Sequence, residues 1–516
     1  MTPPIPNLSE VFGPSQDDLP GLVDGSTALF GVPTALLDGG MGTTLEDDFD
    51  QMITDSPLWS ASLAQNDPAL LGRLHEAFLR AGSQVISTST YQASFETYER
   101  AGYSEGDAIA FMRASVKIAD DVRRMDRGYV NSRSSAITAT FDTPSISSSA
   151  RQRPDPKLCL SLGPYGAMLP YAQEFDAIYP PPFGPCPFDP RSTTVQTNSF
   201  ILHPPRTAEK DTTSTPSSSI PSEELASHLA LTDFHMRRLR VFAEDERTWS
   251  RIDLVAFETT PLLREAKAIR EAVARLQSEM DDRSGGSWAM KPWYISFVFP
   301  GGHSPEERWV GGPKYDIPTI IETVFLASAE TSSASSAWAT STNMPYGVGV
   351  NCTEPKYLPK LIKEMSETLR SLDLKRSCGA SLPWLVVYPN GGTQYDVIHK
   401  TWVDQSSSPA DKWAYEVLEA IGTGITSGGI FSSKGEGDAR PPEEAESRVP
   451  WAGILIGGCC KAGPAHIAAL ANRLYPGKGT PLRDREERMS QRYGPNYLLR
   501  LAHPVDARSI SESLAG

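Results

Sequence analysis

The sequence repeats one arrangement eight times: a short, β-branched apolar run that ends in small or polar residues, followed by a longer segment of helical periodicity. A bounded apolar run of this length predicts a buried strand, and apolar residues at every third or fourth position predict an amphipathic helix. The predicted strands span residues 34–40, 84–91, 158–166, 252–260, 293–299, 346–352, 384–390 and 454–460. The predicted helices span residues 68–81, 104–125, 222–246, 262–280, 317–328, 356–372, 411–421 and 464–474.

Eight strand-then-helix units predict an α/β fold of the (β/α)8 class, the TIM barrel, and an open doubly wound sheet is the alternative. The closed barrel is favoured because no GxGxxG motif follows the first strand, as a dinucleotide-binding open sheet would require. Five segments rich in Ser, Thr, Pro or Gly interrupt the repeats, and such composition predicts partly disordered surface loops. These low-complexity insertions lie near 132–154, 180–221, 278–290, 328–345 and 426–449, within a barrel predicted over 31–476 that is flanked by extensions at 1–30 and 477–516.

Charge and hydropathy exclude several classes of function. The net charge is −15, whereas a nucleic-acid-binding surface needs clustered Lys and Arg. The N-terminal segment lacks the basic and apolar regions of a secretory signal, and no later run of about 18 apolar residues predicts a membrane span. These observations predict a cytoplasmic protein with small-molecule partners and without nucleic-acid or membrane partners; they leave its oligomeric state open.

Three of the six cysteines follow predicted barrel strands, Cys352 after the sixth strand and Cys459 with Cys460 after the eighth. Strands lie about 4.8 Å apart, so ends separated by one strand can direct side chains to a common point at the mouth of the barrel. Gly457 and Gly458 would let the backbone leave the strand pleat, so that both neighbouring thiols turn inwards. Taken singly, each cysteine is more readily an inert core residue. Together they form the donor set of a zinc site with one open position, as catalytic sites have.

The ends of the other strands carry carboxylates, glycines and hydroxyl groups, and active sites of (β/α)8 barrels form at this rim. The candidates are Asp38, Gly39, Gly40, Thr90, Tyr91, Tyr165, Gly166, Glu258, Thr259, Asn351, Tyr388 and Asn390.

Short motifs at these strand ends resemble the homocysteine S-methyltransferase family in order and content, over about residues 36–474 apart from the insertions. The most specific motifs are GVNC at 349–352 and GGCC at 457–460. The others are LLDGGMGTTL (36–45), SPLWSASL (56–63), STSTYQAS (87–94), GPYGAML (163–169), AFETTP (256–261) and VYPNGG (387–392). The chain departs from the family's pattern after the cysteine pair, where Lys461, Ala462 and Gly463 replace Arg-Thr-Thr or similar, and at Phe175, which replaces the Tyr of a Glu-Tyr pair.

The resemblance implies a zinc-bearing barrel in which the three cysteines Cys352, Cys459 and Cys460 hold Zn2+ and the thiol of homocysteine takes the open position. The cation would deprotonate a thiol whose pKa is otherwise about 8.5, and an in-line displacement would then move a methyl group to give methionine. The SPLWSASL segment is similar to the branch that uses S-methylmethionine or S-adenosylmethionine. No length remains for pterin and cobalamin domains, so a folate-linked methionine synthase is not expected.

Substrate roles follow from the same resemblance and from the chemistry of each group. Asp38 and Glu258 are candidates for the α-ammonium of homocysteine. Its carboxylate would be received by the N–H groups of Gly39 and Gly40 with Thr90. The three tyrosines at the rim, Tyr91, Tyr165 and Tyr388, are candidates for cation–π contact with a sulfonium. Asn351 is a substrate-binding candidate, although it more readily fixes the loop that presents Cys352.

Three alternatives stay open at this point. Betaine is an alternative donor, and selenocysteine an alternative acceptor. A third possibility is a zinc–thiolate barrel without catalysis that regulates or senses oxidation, since exposed thiolates oxidise readily. The presence of all three cysteines together with both carboxylates favours the enzyme.

Overall fold

Eight parallel strands form one sheet, and each predicted apolar run supplies one of them. They are β1 (Thr34–Leu36), β2 (Val85–Ser87), β3 (Lys157–Leu162), β4 (Leu254–Thr260), β5 (Trp293–Phe297), β6 (Gly347–Asn351), β7 (Trp384–Tyr388) and β8 (Gly453–Ile456). The structure is a computed structural model that describes residues 33–53, 56–137, 156–204, 221–286, 288–326, 344–372, 382–392, 395–396, 401–402, 408–426 and 449–475. The predicted extensions, and most of the insertions near 132–154, 328–345 and 426–449, lie outside these residues, so the domain limits at 31 and 476 stay predictions.

The sheet closes into a barrel at a seam between β1 and β2 that combines backbone and side-chain hydrogen bonds. Each strand pairs with its neighbour in the chain from β2 to β8, and β8 pairs with β1. Between β1 and β2, Gln84 N–H donates to Leu36 O (2.7 Å), and Gln84 Oε1 accepts from Leu36 N–H (2.9 Å). The carboxylate of Asp38 accepts from the N–H (2.6 Å) and the hydroxyl (2.9 Å) of Ser87. The predicted (β/α)8 class is therefore confirmed.

Helices follow the strands around the outside of the barrel. They are α1 (Met41–Phe49), α2 (Pro68–Ala81), α3 (Glu105–Ile137), α4 (Ser222–Ala243), α5 (Leu263–Ser284), α6 (Ile317–Phe325), α7 (Leu358–Leu372), α8 (Ala410–Thr426) and α9 (Pro464–Leu474). Shorter helical segments are Trp59–Ser62, Leu63–Asn66, Phe95–Arg100, Tyr165–Met168, Glu246–Trp249, Pro300–Gly302 and Pro355–Tyr357, and a small antiparallel pair joins Tyr395–Asp396 to Thr401–Trp402. In the described parts of the chain, no helix is both long and apolar enough to span a membrane.

Helix boundaries agree with prediction where the sequence carries clear caps. Helix α2 begins after Asp67, whose side chain accepts from Leu70 N–H (2.8 Å), and it ends at Gly82 in a left-handed conformation. Helix α5 continues past its predicted end, into the insertion expected near 278–290, until Gly285 adopts a φ of 65°. Helix α1 is absent from the prediction, because the polar segment after β1 lacks the apolar spacing that marks the other helices.

The first part of the insertion predicted near 180–221 packs against the barrel instead of extending as a free surface loop. The ring of Phe183 stacks on Tyr165 with the ring centroids 3.8 Å apart. Asn198 Nδ2 donates to Asp176 O and to Pro305 O, both at 3.0 Å. Prolines limit the conformational entropy that such a segment loses on ordering, so composition alone underestimated its packing.

Candidate active site and metal centre

A cavity of about 540 Å³ opens at the C-terminal ends of the strands. All eight strands or the loops that follow them contribute to its wall. This is the position at which active sites of (β/α)8 barrels form, because the βα loops converge there.

The loop after β7 holds the two cysteine-bearing loops beside each other. Cys352 follows β6, and its N–H donates to Tyr388 O (3.2 Å). On the other side, Cys459 N–H donates to Pro389 O (2.8 Å), and Cys460 O accepts from Gly391 N–H (2.7 Å). Since β7 lies between β6 and β8, backbone hydrogen bonds to a single loop fix both walls of the cysteine cluster.

The three sulfur atoms lie close enough together to share one metal ion. All three Sγ atoms are within 4.8 Å of one another, and Cys459 Sγ is 4.0 Å from Cys460 Sγ. Tetrahedral zinc with bonds of about 2.3 Å separates its sulfur ligands by about 3.8 Å, so the donor set fits that ion. Cys352 and Cys459 are joined as a disulfide in this structure. A metal would use the same two sulfur atoms, so metal binding requires this pair to be reduced.

Burial keeps the third thiol protonated in the absence of a compensating cation. Desolvation, with a further contribution from the nearby Glu174 carboxylate, raises the pKa of Cys460 to about 12. A divalent cation removes this penalty because it neutralises the thiolates that bind it. The chemistry of the site therefore suits a metal ion rather than a free thiolate nucleophile.

The glycines around the cysteine pair serve close packing. The strand ends at Ile456, so the backbone leaves the pleat before the cysteine pair, and it does so without a positive φ at Gly457 or Gly458. A Cβ on Gly457 would lie 2.6 Å from Asp38 O, while Gly458 N–H donates to the same oxygen (3.0 Å). A Cβ on Gly39 would clash with Ala462 O. The loops after β1 and β8 thus touch backbone to backbone, as glycine allows.

The predicted carboxylate receptor at Gly39 and Gly40 is not formed as expected. Gly40 N–H donates to Ala462 O (3.0 Å), so this N–H is already used inside the protein. The hydroxyl of Thr90 donates to Ser161 O (2.7 Å) and contacts Thr88 Oγ1 (2.6 Å). Thr90 is buried behind the wall of the cavity, whereas Gly39 and Gly40 do line it.

The two predicted ammonium ligands both line the cavity, but they differ in their partners. Both oxygens of Asp38 accept hydrogen bonds from Ser87 in the barrel seam. Glu258 Oε1, by contrast, is buried and has no hydrogen-bond partner among the described residues. Burial raises the pKa of each carboxyl to about 7, and hydrogen bonds from Ser87 to Asp38, and from Ser161 and Tyr388 to Glu258, oppose the rise.

Of the three predicted donor-pocket tyrosines, Tyr91 and Tyr388 line the cavity and Tyr165 does not. Tyr388 OH is 2.5 Å from Ser296 Oγ in the barrel interior. Tyr165 instead packs among aromatic rings outside the barrel, between Phe183 and Phe234. A βα-loop tyrosine can pack outward as easily as inward, and sequence spacing does not distinguish the two directions.

Asn351 supports the site from behind the cavity wall. Its Oδ1 accepts from Thr259 N–H (2.9 Å), and its Nδ2 donates to Thr259 Oγ1 (2.7 Å). Thr259 has a φ of 58°, so Asn351 holds a strained backbone directly beside Glu258. This contact supports a positioning role for Asn351, which the sequence favoured over a substrate contact.

Strained backbone is concentrated around the cavity. Eight non-glycine residues have a positive φ in the described ranges, and five of them line the cavity or directly follow its cysteine pair. These five are Trp59, Ala172, Thr259, Cys352 and Lys461. Each such conformation costs about 1–3 kcal/mol and persists only where the surroundings impose it, as at functional sites.

Two features of the wall were missed by the sequence reasoning. Trp59 lines the cavity, and its signal was the SPLW motif. The hydroxyl of Thr43 in α1 accepts from Lys461 N–H (2.7 Å), so the loop after the cysteine pair is hydrogen-bonded by a hydroxyl from α1. Lys461 Nζ also pairs with Asp47 at 2.6 Å. Since α1 was not predicted, this contact was not expected.

The wall is acidic. Five carboxylates line the cavity together with the three cysteines, and the lining residues that the structure describes include no Lys, Arg or His. The carboxylates are those of Asp38, Glu174, Asp176, Glu258 and Glu354. A cavity of this composition attracts cations and repels anionic ligands.

Comparison with known proteins points to one family. The family model described as "Homocysteine S-methyltransferase" matches residues 35–189 and 205–474. The chain is 25% identical over 445 residues to homocysteine S-methyltransferase 2 of Arabidopsis thaliana, covering 85% of this chain and 92% of the relative. It is 24% identical over 440 residues to a selenocysteine Se-methyltransferase of Brassica oleracea var. italica, covering 85% and 88%.

A bacterial relative and a solved structure are also similar. Homocysteine S-methyltransferase YbgG of Bacillus subtilis is 25% identical over 439 residues, covering 85% of this chain and 94% of the relative. The metallated form of the homocysteine methyltransferase MmuM from Escherichia coli aligns over 88% of this chain and 99% of its own, with 20% identity and a TM-score of 0.46.

Proposed function

Because the chain belongs to the homocysteine S-methyltransferase family, we propose that it transfers a methyl group from a sulfonium donor to the thiol of L-homocysteine and releases methionine. Family membership makes the protein a methyltransferase. The proposed donor is S-methylmethionine or S-adenosylmethionine. The observation that carries the proposal is the cluster of three thiols at the mouth of an acidic cavity.

Zinc is the proposed metal, and the thiol groups of Cys352, Cys459 and Cys460 would hold it. When bound, zinc supplies the positive charge that keeps a substrate thiol ionised at neutral pH. The backbone contacts of the β7 loop hold the two cysteine-bearing loops beside each other, and the Cys352–Cys459 disulfide must be reduced before its sulfur atoms can bind the metal.

Glu258 is the better of the two candidates for the α-ammonium of homocysteine. Its Oε1, which has no partner among the described residues, can accept a hydrogen bond from a charged N–H donor. Both oxygens of Asp38 already accept hydrogen bonds from Ser87 in the barrel seam. Asn351 keeps Glu258 in place through Thr259, which supports an ammonium site of fixed position.

The acidic wall supports a cationic donor. S-methylmethionine and S-adenosylmethionine each carry a sulfonium, an α-ammonium and one carboxylate and so have a net positive charge, whereas betaine carries one cation and one carboxylate and is neutral overall. In the proposed step, the homocysteine sulfur forms a bond to the methyl carbon as the bond from that carbon to the donor sulfur breaks. The electron pair of the broken bond stays on the donor sulfur, which becomes a neutral thioether, and the thiol proton passes to solvent.

Selenocysteine is the second candidate acceptor, because two similar plant proteins are named selenocysteine methyltransferases. A selenol has the same valence and shape as a thiol, and it ionises more readily. The cavity residues described above do not distinguish the two acceptors.

The deciding experiment measures product from purified, zinc-loaded protein. Homocysteine or selenocysteine is supplied with S-methylmethionine, S-adenosylmethionine or betaine, while metal analysis counts the zinc. We expect methionine from homocysteine and a sulfonium donor at about one zinc per chain. No methylated product from any donor at full zinc occupancy would contradict the enzyme assignment.

Cys459→Ser tests the metal site, with Cys186→Ser as the matched control. Cys459 belongs to the cluster, whereas Cys186 Sγ lies away from it and contacts Thr197 O at 3.4 Å. We expect the first variant to lose zinc and at least about 100-fold in activity, and the second to keep both. Full zinc content and full activity in Cys459→Ser would show that the cysteine cluster is not the zinc site.

A further inference from the structure

The loop after β3 is pressed against the cavity by a close backbone contact. A Cβ on Gly166 would lie 2.6–2.7 Å from the backbone of Gln173 and Glu174, so no other residue at 166 allows this approach. Tyr171 and Ala172 adopt left-handed conformations just before it, with φ of 67° and 48°. The backbone is therefore strained just before Glu174, and the close contact with Gly166 holds Glu174 in the wall of the cavity.

The carboxylate of Glu174 is buried and is only partly satisfied by a hydrogen bond from its own backbone. The residue is 6% exposed, lines the cavity, and its Oε2 has no hydrogen-bond partner among the described residues. An ionised carboxylate buried in this way is costly unless a cation or donor meets it. Asp176, two residues later, has an exposed side chain; desolvation raises its pKa, and the positive charge of Lys314 opposes the rise, so this second carboxylate of the loop has a cation nearby.

Glu174 and Glu258 line the same cavity from different segments of the chain, and both act on Tyr91. Burial raises the pKa of Tyr91 well above its ordinary value. The charges of Glu174 and Glu258 add to this rise, and a hydrogen bond with Thr259, beside Glu258, opposes it. Glu174 also acts on Cys460 at the metal cluster. Each of the two carboxylates has one oxygen without a hydrogen-bond partner in the described part of the chain, and the proposed reaction brings in two amino acids that each carry an ammonium.

We propose that Glu174 is a specificity-determining residue that pairs with the α-ammonium of the methyl donor, as Glu258 does with that of homocysteine. This inference rests on the proposed function. The ammonium keeps its charge throughout the reaction, so a carboxylate bound to it stabilises the donor and the transition state alike. The sulfonium loses its charge as the methyl group leaves, and a carboxylate beside it would stabilise the ground state more than the transition state.

The test compares two sulfonium donors that differ in the ammonium. S-methylmethionine has one, and dimethylsulfoniopropionate does not. Glu174→Gln should raise KM for S-methylmethionine by at least about 10-fold, the loss typical of a charge-assisted hydrogen bond. It should change KM for dimethylsulfoniopropionate, measured as a donor or as a competitive inhibition constant, by less than about 2-fold.

Three further measurements separate this role from a structural one. Glu174→Asp should recover part of the affinity for S-methylmethionine, and the KM for homocysteine should stay unchanged in both variants. Asp189→Asn removes one negative charge from the same segment at an exposed position, and it should leave all constants unchanged. Zinc content and melting temperature of each variant report on folding.

Two results would overturn the assignment. Equal increases in KM for both donors would mean that Glu174 contacts the sulfonium or acts only through overall charge. An increase confined to the KM for homocysteine would place Glu174 at the acceptor. Methionine formation by the wild type tests the proposed function separately, because the Glu174 test uses ratios between variant and wild type.

Discussion

At the scale of single residues, burial of carboxyl groups is the dominant electrostatic feature of the cavity. Asp38, Glu174 and Glu258 each have a pKa raised to about 7, with desolvation as the largest cause. A raised acid pKa means that the ionised form, which binds an ammonium, is present above about pH 7 and is lost as the pH falls below it. The charge of Glu258 also raises the pKa of Asp38, so an observed pKa of either group belongs to the pair.

This titration predicts how activity depends on pH. The kcat/KM for homocysteine should be about tenfold lower at pH 6 than at pH 8, because a single essential carboxyl of pKa 7 is protonated at the lower pH. Glu258→Gln should lower kcat/KM at pH 8 by at least about 10-fold and remove most of its fall between pH 8 and pH 6. Glu223→Gln, on the exposed start of α4, is the control that should preserve the wild-type profile. If kcat/KM of Glu258→Gln still falls about tenfold between pH 8 and pH 6, another group causes the pH dependence. Zinc content measured at each pH excludes metal loss as the cause.

At the scale of elements, the cysteine cluster depends on how closely the loops after β1 and β8 approach each other. The motifs DGG and GGCC supply the glycines on the two sides of this contact. Both motifs stand at the ends of predicted strands, and this position identified them as parts of a site. The contact between them depends on β1 pairing with β8 at the closure of the barrel.

Gly39→Ala tests this contact. The added Cβ would clash with Ala462 O, so the two loops must separate, and we expect a loss of about 1–3 kcal/mol in the free energy of unfolding with reduced zinc affinity. Gly106→Ala is the matched control, because the nearest atom to its Cβ is Ser104 Oγ at 3.8 Å and alanine is favourable in a helix. Chemical denaturation and zinc titration of both variants measure the effect; equal behaviour of the two would argue against close packing as the reason for Gly39.

At the scale of the whole molecule, side-chain hydrogen bonds help to close the barrel at the seam between β1 and β2. Gln84 joins β2 to β1, and its Oε1 also accepts from Tyr475 OH (3.0 Å) at the end of α9. One side chain thereby links the beginning and the end of the barrel. Asp38 serves the same seam and also lines the cavity, so closure of the fold and formation of the site share a residue.

Gln84→Ala should weaken the whole barrel. It removes the acceptor of Leu36 N–H, and an unsatisfied buried group of this kind costs about 1–3 kcal/mol. Gln51→Ala, at an exposed position after α1, should change the free energy of unfolding by less than about 0.5 kcal/mol. Urea unfolding measures both variants, and a Gln84→Ala protein as stable as Gln51→Ala would show that the seam does not depend on this side chain.

The sequence by itself determined the fold class, the eight strands and the strand ends that carry Cys352, Cys459 and Cys460. It could do so because apolar periodicity and the turn residues are local properties, and because βα loops of a barrel must converge on one face. Helix α2 is a clear case, since Asp67, Pro68 and Gly82 mark its two ends in the sequence.

The tertiary structure alone decided which way each rim side chain points and what it contacts. Tyr91 and Tyr165 have the same type and similar positions after a strand, yet one lines the cavity and the other packs outside the barrel. Gly40 N–H, Thr90 and Asn351 are engaged by atoms distant in the chain, and the backbone of Gly166 brings Glu174 into the wall. These outcomes depend on packing between loops that the barrel brings together, and no local pattern in the sequence encodes that packing.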